Sequence, residues 1–193
     1  MGVSAKKPFV FITLGSYGDV LPMLSIAQQL SDNGERVVFL SNGYFKHLFE
    51  SIDIEFIQLS SSQEYEHLIS TVNVNSTYDL TVALVKHLLL EPIDSVLTCL
   101  ENISREGNII LIANGTNLGA RLYHDKTGCD FVSAYFAPCV LPSGQFFPRL
   151  FRWHYVNLLP FSLRKVGLKL IKFFINFLLL NRVNRLRFVS GLP

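Results

Sequence analysis

The fold turns on the stretch Pro8-Phe9-Val10-Phe11-Ile12-Thr13-Leu14-Gly15-Ser16-Tyr17-Gly18-Asp19-Val20-Leu21-Pro22. Pro8 to Leu14 is a continuous apolar run, which reads as a strand buried on both faces. Gly15 to Asp19 is a glycine-rich turn, and a helix opens at Asp19 or Leu21 with Pro22 in its first turn. That helix runs to about Asn33, and Gly34 follows its end. Lys6 and Lys7 precede the apolar run, but the run is short for a signal-peptide core and lacks a small-residue cleavage site.

The same alternation continues downstream. Arg36–Ser41 reads as a second strand, Tyr44–Ser51 as a short helix and Ile54–Leu59 as a third strand. Ser60–Asn75 is polar and reads as irregular with a helical turn. Thr77–Ser104 reads as a long helix with a kink at Pro92, and Ile109–Ala113 as a fourth strand. Asn117–Thr127 is a helix ended by Gly128, and Phe131–Phe136 is a fifth strand. Apolar strands alternating with helices predict an α/β, Rossmann-like parallel sheet covered on both faces. This first domain spans 1–148, with a loop at Ala137–Pro148 rich in proline and aromatics. Residues 149–193 follow as a basic, helical segment of the same domain, in two pieces that part near Pro160.

Composition fits a chain with a real core: 193 residues, 49% hydrophobic and 17% charged, with a mean hydropathy of +0.32. The net charge of +2 conceals a split. Residues 1–130 hold 8 Lys/Arg against 15 Asp/Glu, a net of −7, and residues 131–193 hold 9 Lys/Arg and no carboxylate, a net of +9. A basic block of that length points to an anionic partner. In its second helical piece Lys165, Lys169, Lys172 and Asn176 form one polar stripe beside a wide apolar face. Two readings stay open: a helix packed on protein, or a helix lying on an anionic membrane. Nucleic acid is a poor fit, because the segment is as apolar as it is basic.

No membrane-spanning helix is expected. Proline and glycine break 131–148, and Lys169 and Lys172 interrupt 166–180, which is shorter than the ~20 residues a span needs. The three cysteines have no Cys-x-x-Cys spacing and the five histidines no metal-ligand spacing. Reduced thiols, a cytoplasmic location and no metal site are therefore expected; on the membrane reading of the basic helix, the contact would be peripheral, at the inner face.

Gly15, Ser16, Tyr17 and Gly18 lie after the first strand, where open parallel sheets bind ligands. The two glycines permit positive φ and close backbone approach, and the helix start favours an anion such as phosphate. The spacing is not Gly-x-Gly-x-x-Gly, and no acidic residue ends the second strand, so a dinucleotide site is not expected. Asp19 has two readings: a helix cap, or a general base that takes a proton from an acceptor hydroxyl. A flavodoxin-like phosphate-ligand domain is a weaker third reading of the whole chain.

Phe11 to Pro22 closely resembles the opening of GT-B glycosyltransferases with a family 28 N-terminal domain, among them sterol glucosyltransferases, rhamnolipid rhamnosyltransferases and glycopeptide-antibiotic glycosyltransferases. The resemblance continues in Leu24–Leu30, Gly34–Val38, Asn42-Gly43-Tyr44-Phe45 and Ile54–Ile57. It returns in Gly119-Ala120-Arg121-Leu122 with His124, Lys126 and Gly128, in Ala137-Pro138 with Ser143, and in Asn184–Pro193. It implies the acceptor-binding half of an inverting hexosyltransferase with Asp19 as catalytic base and no metal. Asn114-Gly115-Thr116-Asn117 stands where other members carry an aspartate that orients a histidine base, so Asn114 and Thr116 join the candidate site. Pro138, Phe146 and Phe147 suit an apolar acceptor, a lipid or sterol, or merely cap the core.

The co-substrate would be a UDP- or dTDP-linked sugar, bound by a second half that carries the donor motif. No such motif occurs here, so the 193 residues alone are not expected to transfer sugar. A truncation, or a separate donor-binding chain, would account for that. The alternative is a non-catalytic, membrane-associated binding module of the same fold.

Overall fold

The computed structural model describes residues 7–71, 86–87, 90–136 and 160–167, together with positions 169, 170, 173, 184, 185, 187 and 188. The chain divides into two units, Met1–Phe136 and Ala137–Pro193.

Five strands build the first unit: β1 (Phe9–Ile12), β2 (Val37–Asn42), β3 (Glu55–Ser60), β4 (Ile110–Asn114) and β5 (Asp130–Ala134). They form one sheet in the order β3-β2-β1-β4-β5. Every pairing is parallel, with Ile12 beside Leu40 on one side and Ala113 on the other. Side chains alternate between faces along a strand, so a strand covered on both sides must be apolar at every position. Val10, Ile12, Val38, Leu40, Leu111 and Ala113 pack into one buried cluster. Phe11, Val37 and Phe39 pack into another.

Helices supply the covers. α1 (Tyr17–Asp32) buries Val20, Met23, Leu24 and Ala27 in the cluster of Phe11 and Phe39. The 3-10 helix Gly43–Phe49 adds Phe45 and Phe49 there. α3 (Ile93–Ser104) and α4 (Leu118–Thr127) contribute Val96, Leu100, Ala120 and Tyr123 to the other cluster. Gly119 lets those two helices close, since a Cβ there would crowd Val96 and the Ile93 carbonyl. The α/β, Rossmann-like expectation is therefore met, and strand bounds agree with the sequence reading to within two residues.

Three helical expectations are revised. α1 begins at Tyr17, with Ser16 as its N-cap in extended conformation. Pro22 thus falls in the second turn and offers no N–H to the helix. The polar stretch after β3 holds a full helix, α2 (Ser62–Thr71). Its start is a reciprocal cap: Ser61 N–H donates to Glu64 Oε2 at 2.9 Å and Glu64 N–H donates to Ser61 Oγ at 3.2 Å. The Ser-x-x-Glu pattern was legible in the sequence. Finally, Pro92 stands at the N-cap of α3, not at a mid-helix kink. The remainder of the long helix read over 77–92 lies mostly outside the described residues.

Candidate functional site

The strand order reverses between β1 and β4, and the crevice beyond the carboxyl ends of such strands is where open α/β sheets bind ligands. Both adjoining loops carry predicted site residues. The turn after β1 holds Gly15, Ser16, Tyr17, Gly18 and Asp19, and β4 ends in Asn114 with Thr116 just beyond. The pairing of Ile12 with Ala113 sets Thr13 and Asn114 at the same height.

Asp19 sits at the third position of α1 and is half-buried. Its Oδ2 accepts the Ser16 N–H at 3.0 Å and lies 3.4 Å from Ser16 Oγ. Its Oδ1 faces Asn114, whose Nδ2 is 3.4 Å away. Asn114 Oδ1 in turn accepts from Thr116, from its N–H at 3.3 Å and its hydroxyl at 3.1 Å. The carboxylate is thus a cap with one oxygen strongly held and the other only weakly engaged. The arrangement joins the two loops across 95 residues of sequence.

Gly15 is required by that arrangement, because a Cβ there would overlap the Asp19 carboxylate. The reason is close approach, not positive φ: among the described glycines only Gly34, Gly107 and Gly128 have positive φ. Gly18 makes only ordinary contact with Ser16. Gly115 plays a part like that of Gly15 on the β4 loop, where the Tyr135 ring lies against it.

Sequence reasoning passed over an aromatic group beside this turn. Tyr17, predicted as a ligand contact, meets Phe45 edge-on at 5.0 Å and Tyr44 at 6.1 Å between ring centroids. Tyr65 of α2 stacks obliquely on Tyr44 at 5.0 Å. His47 Nδ1 is 3.0 Å from the Tyr44 carbonyl, and its Nε2 is 3.5 Å from the Tyr17 hydroxyl. Desolvation, then the neighbour Tyr44, raises the Tyr17 phenol above its ordinary pKa. Tyr65 is raised by burial first, with contributions from Tyr44, Tyr17 and the Asp19 charge. Tyr44, Phe45, His47 and Tyr65 follow β2 or β3, so the rule that placed the β1 turn on the ligand side also covers them.

A cavity of about 690 Å³ opens on the same end of the sheet, within the size range of small-molecule sites. Leu14, Asn42 and Ser60 bring it to the ends of β1, β2 and β3, and Tyr65 and His67 line it from α2. Lys86, His87 and Glu91 close it with charge; His87 Nδ1 lies 2.5 Å from Glu91 Oε2. Among the described residues no group of His, Cys, Asp or Glu converges as a metal site. Pro138, Phe146 and Phe147 lie outside the described residues.

Comparison with solved structures decides the fold at this point. The glycosyltransferase SnogD from Streptomyces nogalater matches with a TM-score of 0.52 and 16% identity, over 69% of this chain and 35% of that one. SsfS6, a glycosyltransferase of Streptomyces sp. SF2575, matches with a TM-score of 0.51 and 15% identity, over 66% of this chain and 39% of that one. The fold is that of the N-terminal half of a GT-B glycosyltransferase. No family model and no curated protein matches the sequence. The chain spans well under half the length of those two structures. Asp19 and Asn114 meet at its switch point, beyond the carboxyl ends of β1 and β4.

Proposed function

We propose that the chain is the acceptor-binding half of an inverting, family 28-type hexosyltransferase that moves a sugar from a UDP- or dTDP-linked donor to a hydroxyl of a lipid, sterol or other small molecule. The observation that carries this reading is the meeting of Asp19 and Asn114 at the switch point, on the end of the sheet where a cavity large enough for an acceptor also opens, though neither residue lines it. An acceptor hydroxyl approaching Asp19 Oδ1 would displace the long Asn114 contact and donate its hydrogen to the carboxylate. As the hydroxyl oxygen attacks the anomeric carbon from the face opposite the nucleotide, the proton passes to Oδ1. The bond from that carbon to the diphosphate oxygen breaks, and the diphosphate leaves with the electron pair. Attack from the opposite face inverts the anomeric centre.

A carboxylate is a weak general base. Its usefulness rests on position: the cap at Ser16 fixes one oxygen and leaves the other facing the crevice. The apolar walls and the polar lining of the cavity together suit an acceptor that is mostly apolar and carries hydroxyls. Pro138, Phe146 and Phe147 belong to this proposal as further acceptor contacts. A second Rossmann-like half would hold the nucleotide sugar.

The deciding experiment supplies the chain with a donor-binding half and measures transfer by Asp19→Asn. Asparagine keeps an oxygen for the cap but cannot take the proton, so turnover is expected to fall about 10²- to 10⁴-fold while acceptor binding persists. Transfer by Asp19→Asn at the rate of the parent chain removes the catalytic assignment.

A further inference from the structure

The second unit carries a surface that the glycosyl-transfer reading does not use. Residues 161–167 are helical, and 169, 170 and 173 continue as helix. Leu163, Val166, Leu170 and Phe173 follow one another at steps of three, four and three, so they line one face. All four are exposed, at 54%, 53%, 64% and 70%. Lys165 and Lys169 are exposed alongside, and Lys165 Nζ sits 4.6 Å over the Phe161 ring. Phe188 is 83% exposed and follows Arg185 and Arg187.

A row of large apolar side chains in water is a docking surface or a liability. Its setting selects the occupant. Residues 131–193 hold nine cationic side chains and no carboxylate, so a matching surface must be anionic and apolar together. Protein interfaces are depleted in lysine, and a second copy docked by the same face would bring like charges together. An anionic lipid surface offers both requirements at once: phosphates and carboxylates at the headgroup level and acyl chains just beneath. An apolar face flanked by a cationic edge is the pattern of a helix that lies in the interface plane.

We propose that this helix docks the chain on an anionic membrane surface, with Leu163, Val166, Leu170 and Phe173 at the acyl boundary and Lys165 and Lys169 on lipid headgroups; the sequence puts Lys172 on the same polar stripe. The docking is independent of Asp19, so it stands or falls apart from sugar transfer. Where both hold, an acceptor could be taken from the membrane itself.

The full 193-residue chain would be sedimented with phosphatidylcholine vesicles containing about a third phosphatidylserine, and with vesicles of phosphatidylcholine alone. Binding is expected to the anionic vesicles only and to weaken as salt rises. Replacing Lys165, Lys169 and Lys172 together by Gln should weaken it about 100-fold at low salt. Leu170→Asp with Phe173→Asp should also lower it, with helix content by circular dichroism unchanged because both side chains are exposed. Equal binding to both vesicle types overturns the proposal. So does an absence of vesicle binding, with or without self-association, and so does a triple Gln variant that binds as the parent does.

Discussion

At the scale of single residues, Asp19 performs two tasks with its two oxygens. Oδ2 holds the first turn of α1 through Ser16, and Oδ1 reaches toward Asn114. The two readings of the sequence, cap and base, are therefore compatible within one side chain. They separate by substitution. Asp19→Ala removes the cap and should cost roughly 0.5–2 kcal/mol of stability, whereas Asp19→Asn should cost little. Gly15 is bound to the same carboxylate by sterics alone. Gly15→Ala should destabilise the chain by about 1–2 kcal/mol, and adding Asp19→Ala should relieve the part of the overlap made by the carboxylate, leaving the contact with the residue-19 Cβ. Urea midpoints of the two single variants and the double variant should show a coupling of about 0.5–2 kcal/mol, in the sense that the double loses less than the sum. Additive losses would mean that the overlap does not control the turn.

At the scale of elements, the sheet is specified by apolar residues on both faces of its central strands. Phe11 is fully buried and stacks on Phe39 with ring centroids 5.8 Å apart and planes within 6°. Phe39 continues to Phe49 at 4.8 Å, and Phe49 to Phe56 at 4.6 Å. These rings weld β1, β2 and β3 to the 3-10 helix that carries Tyr44 and His47. Phe11→Ala should cost about 3–5 kcal/mol in a chemical denaturation experiment, from lost burial and an unfilled cavity. A loss under about 1 kcal/mol would show that the face tolerates collapse. α2 teaches the opposite lesson. None of its residues is fully buried, and Tyr65, Leu68 and Ile69 give only a short apolar stripe in a polar stretch, so the Ser61–Glu64 cap is the sharper mark of its start. Local chemistry specified that helix where the apolar pattern was short.

At the scale of the whole molecule, the charge split and the fold point the same way. The acidic residues 1–130 form almost all of the sheet unit, and the cationic residues of the basic block begin at Arg149, after β5. The GT-B structures it matches are much longer, and this chain covers 35–39% of two of them. On the proposed reading, the 193 residues alone give no measurable transfer, and a donor-binding half supplied in trans or as one polypeptide restores it. Product formation from a nucleotide sugar and a hydroxylated lipid measures this directly. Transfer by the chain alone would contradict the assignment of donor binding to a second half.

The amino-acid sequence by itself determined the fold class. Continuous apolar strands can only be buried on both sides, and caps and breakers such as Gly34, Asn117 and Gly128 mark helix ends through local backbone chemistry. The Gly-Ser-Tyr-Gly-Asp turn was legible for the same reason, since its position after a strand follows from local pattern. Tertiary structure alone decided what Asp19 faces. Asn114 lies 95 residues away, and only the pairing of β4 against β1 sets the two side by side. It alone also gathered Tyr17, Tyr44, His47 and Tyr65, which come from three elements and share no periodicity. Contacts between elements depend on strand order, and strand order is a property of the packed sheet.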